Sequence, residues 1–210
     1  MKYIKPCILK AEKDLVEYAQ KTHEQIGVDF PVEYFNQGFI RGCRDLEENL
    51  VGGYALITDG PLRTLESLPD DFKNPYDPED LCEITALWLN RDSRHGLPSC
   101  QFWYQFCRDI SHISSKSHFI YSYSLKNEKL RNIYSLVKPE VLYQGQVKKL
   151  VGNKETGVES VEVARKNSFV YFPFYSFHRF AHRLAFGRKP FYKELAQKRF
   201  RRSEAMEPLR

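Results

Sequence analysis

The sequence predicts an α/β (α+β) protein in which helices flank a central mixed sheet and a basic, aromatic helical extension follows the domain. Between residues 81 and 145, short apolar β-rich runs alternate with helical patterns, which is typical of a sheet covered by helices. Near residue 172 the composition changes, and aromatic residues interleaved with basic ones dominate the rest of the chain. We therefore expect a domain over residues 1–172 and an extension over residues 173–210.

The first part of the chain supplies the N-terminal elements of the predicted domain. Its apolar patterns are bounded by Pro, Gly, Asp and Asn, the residues that most often begin and end helices and strands. In chain order they predict a strand at 3–9, helices at 11–23 and 31–44, a hairpin of strands at 49–57 and 62–68, and a long surface loop at 68–80.

The second part contains the most regular patterns of the sequence. They predict a strand at 81–89, a helix that begins at Pro98, a strand at 118–124, a helix that begins at Asn127, and strands at 140–150, 158–164 and 168–172. The strand at 81–89 is followed by a basic, glycine-containing loop and then by a helix. Backbone N–H groups at a helix N-terminus and the positive end of the helix dipole attract phosphate. We therefore expect this loop to bind phosphate groups.

Two motifs in this part resemble those of the GNAT superfamily, the acyl-CoA-dependent N-acyltransferases. The pyrophosphate loop of the family usually has the form Arg/Gln-x-x-Gly-x-Gly/Ala, and the chain has Arg94-His95-Gly96-Leu97-Pro98-Ser99, in which leucine replaces the first glycine. The family motif Asn-x-x-Ala/Leu-x-x-x-Tyr matches Asn127-Glu128-Lys129-Leu130-Arg131-Asn132-Ile133-Tyr134. The resemblance implies a GNAT-like fold, an acyltransferase activity and acetyl-CoA or another acyl-CoA as cofactor.

The resemblance also implies roles for individual residues. Acyl transfer to an amine requires a base for the amine, polarisation of the thioester carbonyl and an acid for the leaving thiolate. Glu83, on the central strand, is the candidate base, and Tyr134 is the candidate acid. An ordinary ion pair at Glu83 and core packing at Tyr134 remain open as alternatives. The implied cofactor-binding residues are Leu87, Trp88, Leu89, Arg94, His95, Gly96, Ser99 and Asn127.

Two narrower resemblances imply different acceptors. The first is to the phage Mom family of DNA-modifying proteins, carried by Glu83-Ile84-Thr85-Ala86-Leu87-Trp88, Ser122-Tyr123-Ser124-Leu125, Ile133-Tyr134 and Tyr143-Gln144-Gly145. It implies an amino group on DNA as acceptor, although Ala86 and Leu125 replace the arginine and aspartate of that family. The second is to acyl-homoserine lactone and long-chain N-acyl amino acid synthases, which implies an acyl carrier protein as the source of the acyl group. A GNAT-fold protein that binds but does not catalyse remains a third possibility.

Charge is distributed unevenly along the 210 residues. Residues 165–210 contain twelve Lys or Arg and three Asp or Glu, so this segment carries +9 while the whole chain carries +5. Such a segment favours a polyanionic partner, either nucleic acid or, as the alternative, an anionic membrane surface. A solvated tail without a partner, and docking of the segment's apolar stripe on the domain, are also open. The candidate nucleic-acid-binding residues are Arg179, Arg183, Arg188, Lys189, Arg201 and Arg202.

Composition restricts the remaining possibilities. Five cysteines without C-x-x-C spacing argue against a disulfide framework or a zinc ribbon, and for a reducing, cytoplasmic environment. No window of 18 apolar residues predicts a transmembrane helix. His178 and His182 have the spacing of metal ligands on a helix, but the intervening glutamate of the H-E-x-x-H motif is missing, so we expect no metal site.

Overall fold

A computed structural model describes residues 3–149 and 157–175 of the chain. Its centre is a seven-stranded sheet with the strand order β1-β2-β3-β4-β5-β7-β6. The strands are β1 (Lys5–Ile8), β2 (Gly38–Arg44), β3 (Leu50–Ile57), β4 (Leu81–Leu89), β5 (His118–Ser124), β6 (Glu140–Gln146) and β7 (Val158–Arg165). The helices are α1 (Glu12–Ile26), α2 (Val32–Phe35), α3 (Arg63–Glu66), α4 (Gly96–His112), α5 (Glu128–Tyr134) and α6 (Lys166–Tyr175).

The sheet is covered by helices on both faces. Apolar residues of α1 and α2 pack with one set of strand residues, and apolar residues of α4, α5 and α6 pack with the other set. On α1, Leu15, Tyr18 and Thr22 are buried, a spacing that places them on one side of the helix. The helix ends at Gly27, whose left-handed backbone (φ 75°) donates its N–H to the His23 carbonyl. The predicted mixed sheet with flanking helices is confirmed.

Three predicted elements are wrong. Residues 31–44 were expected to be a helix, but only Val32–Phe35 is helical and residues 38–44 form β2. A Cβ at Gly38 would lie 2.3 Å from the Leu56 carbonyl oxygen, so this close pairing with β3 requires glycine. Residues 62–68 are not a strand but contain α3, and the hairpin partner of β3 is the preceding strand, β2.

The third wrong element is the last predicted strand. Residues 168–172 lie within α6, where Phe169 packs against Phe106 of α4 and Phe119 of β5. The strands predicted at 81–89 and 118–124 have the predicted bounds, while the strand predicted at 140–150 ends at Gln146. The predicted boundary at residue 172 falls within α6, and most of the predicted extension lies outside the described residues. No described helix is long and apolar enough to cross a membrane.

Candidate active site at the opening between β4 and β5

β4 and β5 form the one parallel pair of the described sheet, and they separate after three residues. Pairing runs from Leu81 opposite His118 to Glu83 opposite Ile120. Beyond this point β4 continues to Leu89 paired with β3, and β5 continues to Ser124 paired with β7. The two inner edges therefore border an opening in the sheet. Backbone N–H and C=O groups along such an edge can pair with an extended ligand, as a further strand would.

A β-bulge lies on the β4 side of this opening. The register between β3 and β4 shifts between Gly53 and Ala55, and Ala86 has a left-handed backbone with φ 49°. This conformation costs a residue with a Cβ about 1–2 kcal/mol. The Tyr18 hydroxyl donates a 2.5 Å hydrogen bond to the Ala86 carbonyl from α1 and helps to hold the bulge. Bulges re-aim the backbone of a strand, so the bulge sets the direction of the β4 edge at the opening.

The loop after β4 leads directly to the N-terminus of α4. Asn90 accepts a hydrogen bond from the Ser93 N–H at 2.9 Å, and Arg94 Nε donates to the Leu89 carbonyl at 2.6 Å. Helix α4 begins at Gly96, whose φ of 63° is left-handed, and its N-cap residue, His95, makes no side-chain capping hydrogen bond. The first N–H groups of α4 are thus left for a ligand or for water.

The charge of the loop fits a phosphate ligand. Arg91, Arg94 and His95 are exposed together with one acidic residue, Asp92, so the loop before the uncapped N-terminus of the 17-residue helix has a net positive charge. Ser99 is only 2% exposed, and its contribution to a ligand would therefore come from its backbone. These residues fit the pyrophosphate of a coenzyme A thioester, which would supply an activated acyl group at the adjoining opening.

The three β4 residues predicted to contact the cofactor lie along the opening. Leu87 packs against the core on the α4 side of the sheet, while the Trp88 ring lies on the α1 side and donates to Thr22 Oγ1 at 2.9 Å. The Leu89 carbonyl already accepts the hydrogen bond from Arg94. The side chains of Leu87 and Trp88 already pack within the protein, so the backbone of this strand would make the contacts with an extended ligand.

Glu83 is buried beside α2 and α3. Its side chain is on the α1 side of the sheet, the residue is 1% exposed, and Oε2 accepts the Thr64 N–H at 2.9 Å. Burial raises the pKa of the Glu83 carboxyl, while hydrogen bonds from Thr64 and Tyr34 and the charge of Arg63 oppose the shift. The hydrogen bonds position the carboxylate, and the raised pKa makes it a stronger base than an exposed glutamate.

Tyr134 ends α5 on the opposite face of the sheet. Its ring stacks on Tyr121 at a centroid distance of 4.2 Å and lies 5.5 Å from Tyr123, so it adjoins the β5 edge of the opening. Burial, followed by the charge of Glu162, raises the pKa of the Tyr134 phenol and keeps it protonated at neutral pH. Asn127 is the N-cap of α5, and its side chain accepts the Leu130 N–H at 3.3 Å. The Asn-to-Tyr motif thus begins and ends this helix.

The structure also places a polar cluster that the sequence did not indicate. Tyr123 and Ser160 donate to the buried carboxylate of Glu162 at 2.5 and 3.1 Å, beneath α5. Alternation along β7 is the signal that would place Ser160 and Glu162 on one face. Because strand glutamates usually face solvent, the pattern alone did not predict burial. The six candidate nucleic-acid-binding residues lie outside the described residues.

Comparison with known proteins identifies the fold. No protein-family model and no curated protein matches the sequence. Among solved structures, FeeM, an N-acyl amino acid synthase from uncultured soil microbes, is similar with a TM-score of 0.58 at 15% identity, covering 80% of this chain and 93% of its own. Arabidopsis thaliana NAA60 in complex with acetyl-CoA is similar with a TM-score of 0.56 at 13% identity, covering 79% and 99%.

A third similar structure is the spermidine/spermine N-acetyltransferase SpeG from Vibrio cholerae. Its TM-score is 0.53 at 10% identity, and the alignment covers 80% of this chain and 96% of that chain. These likenesses extend over nearly the whole length of the known proteins. The chain therefore has the GNAT fold, as the motifs at Arg94–Ser99 and Asn127–Tyr134 predicted.

Proposed function

We propose that the protein is a GNAT-type N-acyltransferase that takes an acyl-CoA into the opening between β4 and β5. The observation that carries this proposal is the separation of the only described parallel pair directly after Glu83, next to an uncapped, basic helix N-terminus. An extended thioester can pair with the β4 edge while its pyrophosphate lies at the start of α4. The GNAT fold of the chain supports the same donor.

The titratable residues at the opening have properties that suit the transfer. Glu83 accepts the proton of the attacking amine, and its burial favours a path through a bound water over direct contact. Backbone N–H groups of β4 polarise the thioester carbonyl. Tyr134, protonated at neutral pH, donates to the leaving thiolate from the other face of the sheet.

The acceptor of the proposal is an amino group on DNA. Its support is the +9 charge of residues 165–210 together with the Mom-like motifs, since polyanion binding requires basic residues of this density. A second candidate is long-chain N-acylation of an amino acid. The likeness to an N-acyl amino acid synthase, with a TM-score of 0.58, favours this candidate.

Calorimetry with CoA and acetyl-CoA tests the donor site. We expect Arg94→Glu to weaken binding by about tenfold or more, because it replaces attraction by repulsion at a dianion. Arg108→Glu is the matched control, since Arg108 is exposed on the same helix, about 18 Å from Gly96 at 1.5 Å per residue. Arg94→Glu also removes the hydrogen bond to the Leu89 carbonyl, so melting curves of both variants test whether the fold is retained. Equal affinity of all three proteins, or no binding by the wild type, would overturn the proposal.

Release of the CoA thiol with different acceptors tests the reaction. Acetyl-CoA and long-chain acyl-CoA are each offered with double-stranded DNA and with free amino acids. Release that depends on DNA supports the first acceptor, and release that depends on an amino acid and a long acyl chain supports the second. Tight CoA binding without release in any combination would identify a GNAT-fold binding protein without catalysis.

A further inference from the structure

A small cavity lies under α5, on the part of the sheet formed by β5, β7 and β6. Its volume is about 270 Å³, close to the lower end of ligand pockets, so it suits a small metabolite. β4, which borders the opening described above, contributes no lining residue. The lining residues used below are Tyr123, Arg131, Lys138, Val141, Gln144 and Glu162.

The carboxylate of Glu162 has one oxygen that lacks a described partner. The residue is 4% exposed, and the hydroxyls of Tyr123 and Ser160 both donate to the same oxygen, Oε1. Oε2 is buried and accepts no hydrogen bond from the described residues. A buried carboxylate oxygen without a donor is costly, and a buried negative charge is stabilised most by a cation. Glu162 lines the cavity, so a positively charged donor bound there would lie next to this carboxylate.

The tyrosines around Glu162 strengthen this preference. Burial and the hydrogen bond to Glu162 raise the pKa of Tyr123 to about 12, and burial with the Glu162 charge raises the pKa of Tyr121 as well. Both phenols thus stay neutral, and Glu162 is the one acidic side chain among the described lining residues. Tyr123 is the aromatic residue among the described lining residues, and its neutral ring can attract an ammonium group through its π face.

The rim of the cavity carries the opposite charge. Arg131, on α5, and Lys138, just before β6, are exposed lining residues. A ligand with one ammonium group would meet like charge at the rim, whereas a ligand that also carries an anion would meet opposite charge at both ends. We propose that this cavity binds a small zwitterion, whose ammonium group pairs with Glu162 and whose carboxylate lies at Arg131 and Lys138.

Titration with linear amino acids of increasing length tests the site, because the chain length measures the span between the two charges. The probes are glycine, β-alanine, 4-aminobutyrate and 5-aminovalerate, with butylamine and butyrate as single-charge controls, all measured by calorimetry on the full chain. We expect one amino acid of the series to bind best. Both single-charge controls should bind the protein at least about tenfold more weakly than that amino acid. Equal binding of a control and the best amino acid, or no binding at about 10 mM, would overturn the proposal.

Two substitutions assign the two ends of the ligand. Glu162→Gln keeps the acceptor for Tyr123 and Ser160 but removes the charge, and should reduce affinity about tenfold or more; Glu159→Gln, on the opposite face of β7, should not. Arg131→Gln, at an exposed position, should weaken amino acid binding but should not weaken butylamine binding, because it removes a positive charge from the rim. Unchanged amino acid affinity in Arg131→Gln, or in a Glu162→Gln protein with wild-type melting behaviour, would refute the site.

Discussion

Replacing Tyr134 by phenylalanine separates a catalytic role from a packing role. The ring contacts with Tyr121 at 4.2 Å and Tyr123 at 5.5 Å are made by carbon atoms that phenylalanine retains. Tyr134 is 8% exposed, and the substitution removes one hydroxyl without creating a cavity in the core. We therefore expect the free energy of unfolding to change by less than about 1 kcal/mol.

The effect on turnover should be much larger. If the Tyr134 phenol protonates the leaving thiolate, its loss removes general acid catalysis, which contributes about 10²-fold or more. A fall of about 10²-fold corresponds to about 2.7 kcal/mol of lost transition-state stabilisation. The assay is release of the CoA thiol per folded molecule, with the acceptor found in the screen described above, and urea unfolding measures stability in parallel.

Tyr121→Phe is the matched control for this experiment. Its ring is the stacking partner of Tyr134, and its hydroxyl is buried without a described hydrogen bond. Removing this buried hydroxyl should leave turnover unchanged and change the free energy of unfolding by about 1 kcal/mol. The catalytic assignment is refuted if Tyr134→Phe keeps wild-type turnover per folded molecule, or if both phenylalanine variants lose turnover equally.

Three further predictions concern other parts of the molecule. Burial raises the pKa of Glu83, so the folded state holds this proton where the unfolded state releases it, and stability should fall as the pH rises above about 4.5. Urea unfolding across pH should show a flatter profile for Glu83→Gln and the wild-type profile for the exposed control Glu66→Gln. Gly96→Ala and Gly27→Ala should each destabilise by about 1 kcal/mol, because both glycines are left-handed and have open space around the added Cβ, but only Gly96→Ala should weaken CoA binding in calorimetry. Double-stranded DNA should bind with a slope of about −5 when the logarithm of the binding constant is plotted against the logarithm of the salt concentration, as about six phosphate contacts require, and deletion of residues 174–210 should abolish this binding. No DNA retention on filters at low salt would contradict the DNA partner, and binding to anionic vesicles instead would favour the membrane.

The sequence predicted β4 and β5 with their observed bounds because both strands are continuous β-rich apolar runs that are buried on two faces. It failed where tertiary contacts override local preference. Residues 168–172 have high strand propensity, yet they form a helix because Phe169 packs against α4 and β5. β2 was missed because its close contacts at Gly38 depend on the neighbouring strand, which periodicity does not reveal.

The candidate site was predictable to a similar extent. The helix after the loop was predicted to begin at Pro98, because proline favours the first turn, and it begins two residues earlier, at Gly96. The Asn127 cap follows from the preference of asparagine for that position. The bulge at Ala86 was not predictable, because alanine gives no signal for a left-handed backbone and the Tyr18 hydrogen bond spans 68 residues. Burial of Glu162 depends on the position of α5 over the sheet, which is likewise a tertiary property.

The positions of Glu83 and Tyr134 define what the sheet must do in the proposed reaction. Glu83 lies on the face covered by α2 and α3, and Tyr134 lies on the face covered by α4 and α6. In the proposed reaction, the amine therefore loses its proton on one face of the sheet, and the thiolate receives a proton on the other face. A continuous ladder from β4 to β5 would close the sheet between them. Because the pairing stops at Glu83 and Ile120, the opening is where an amine from one face and a thioester from the other can meet.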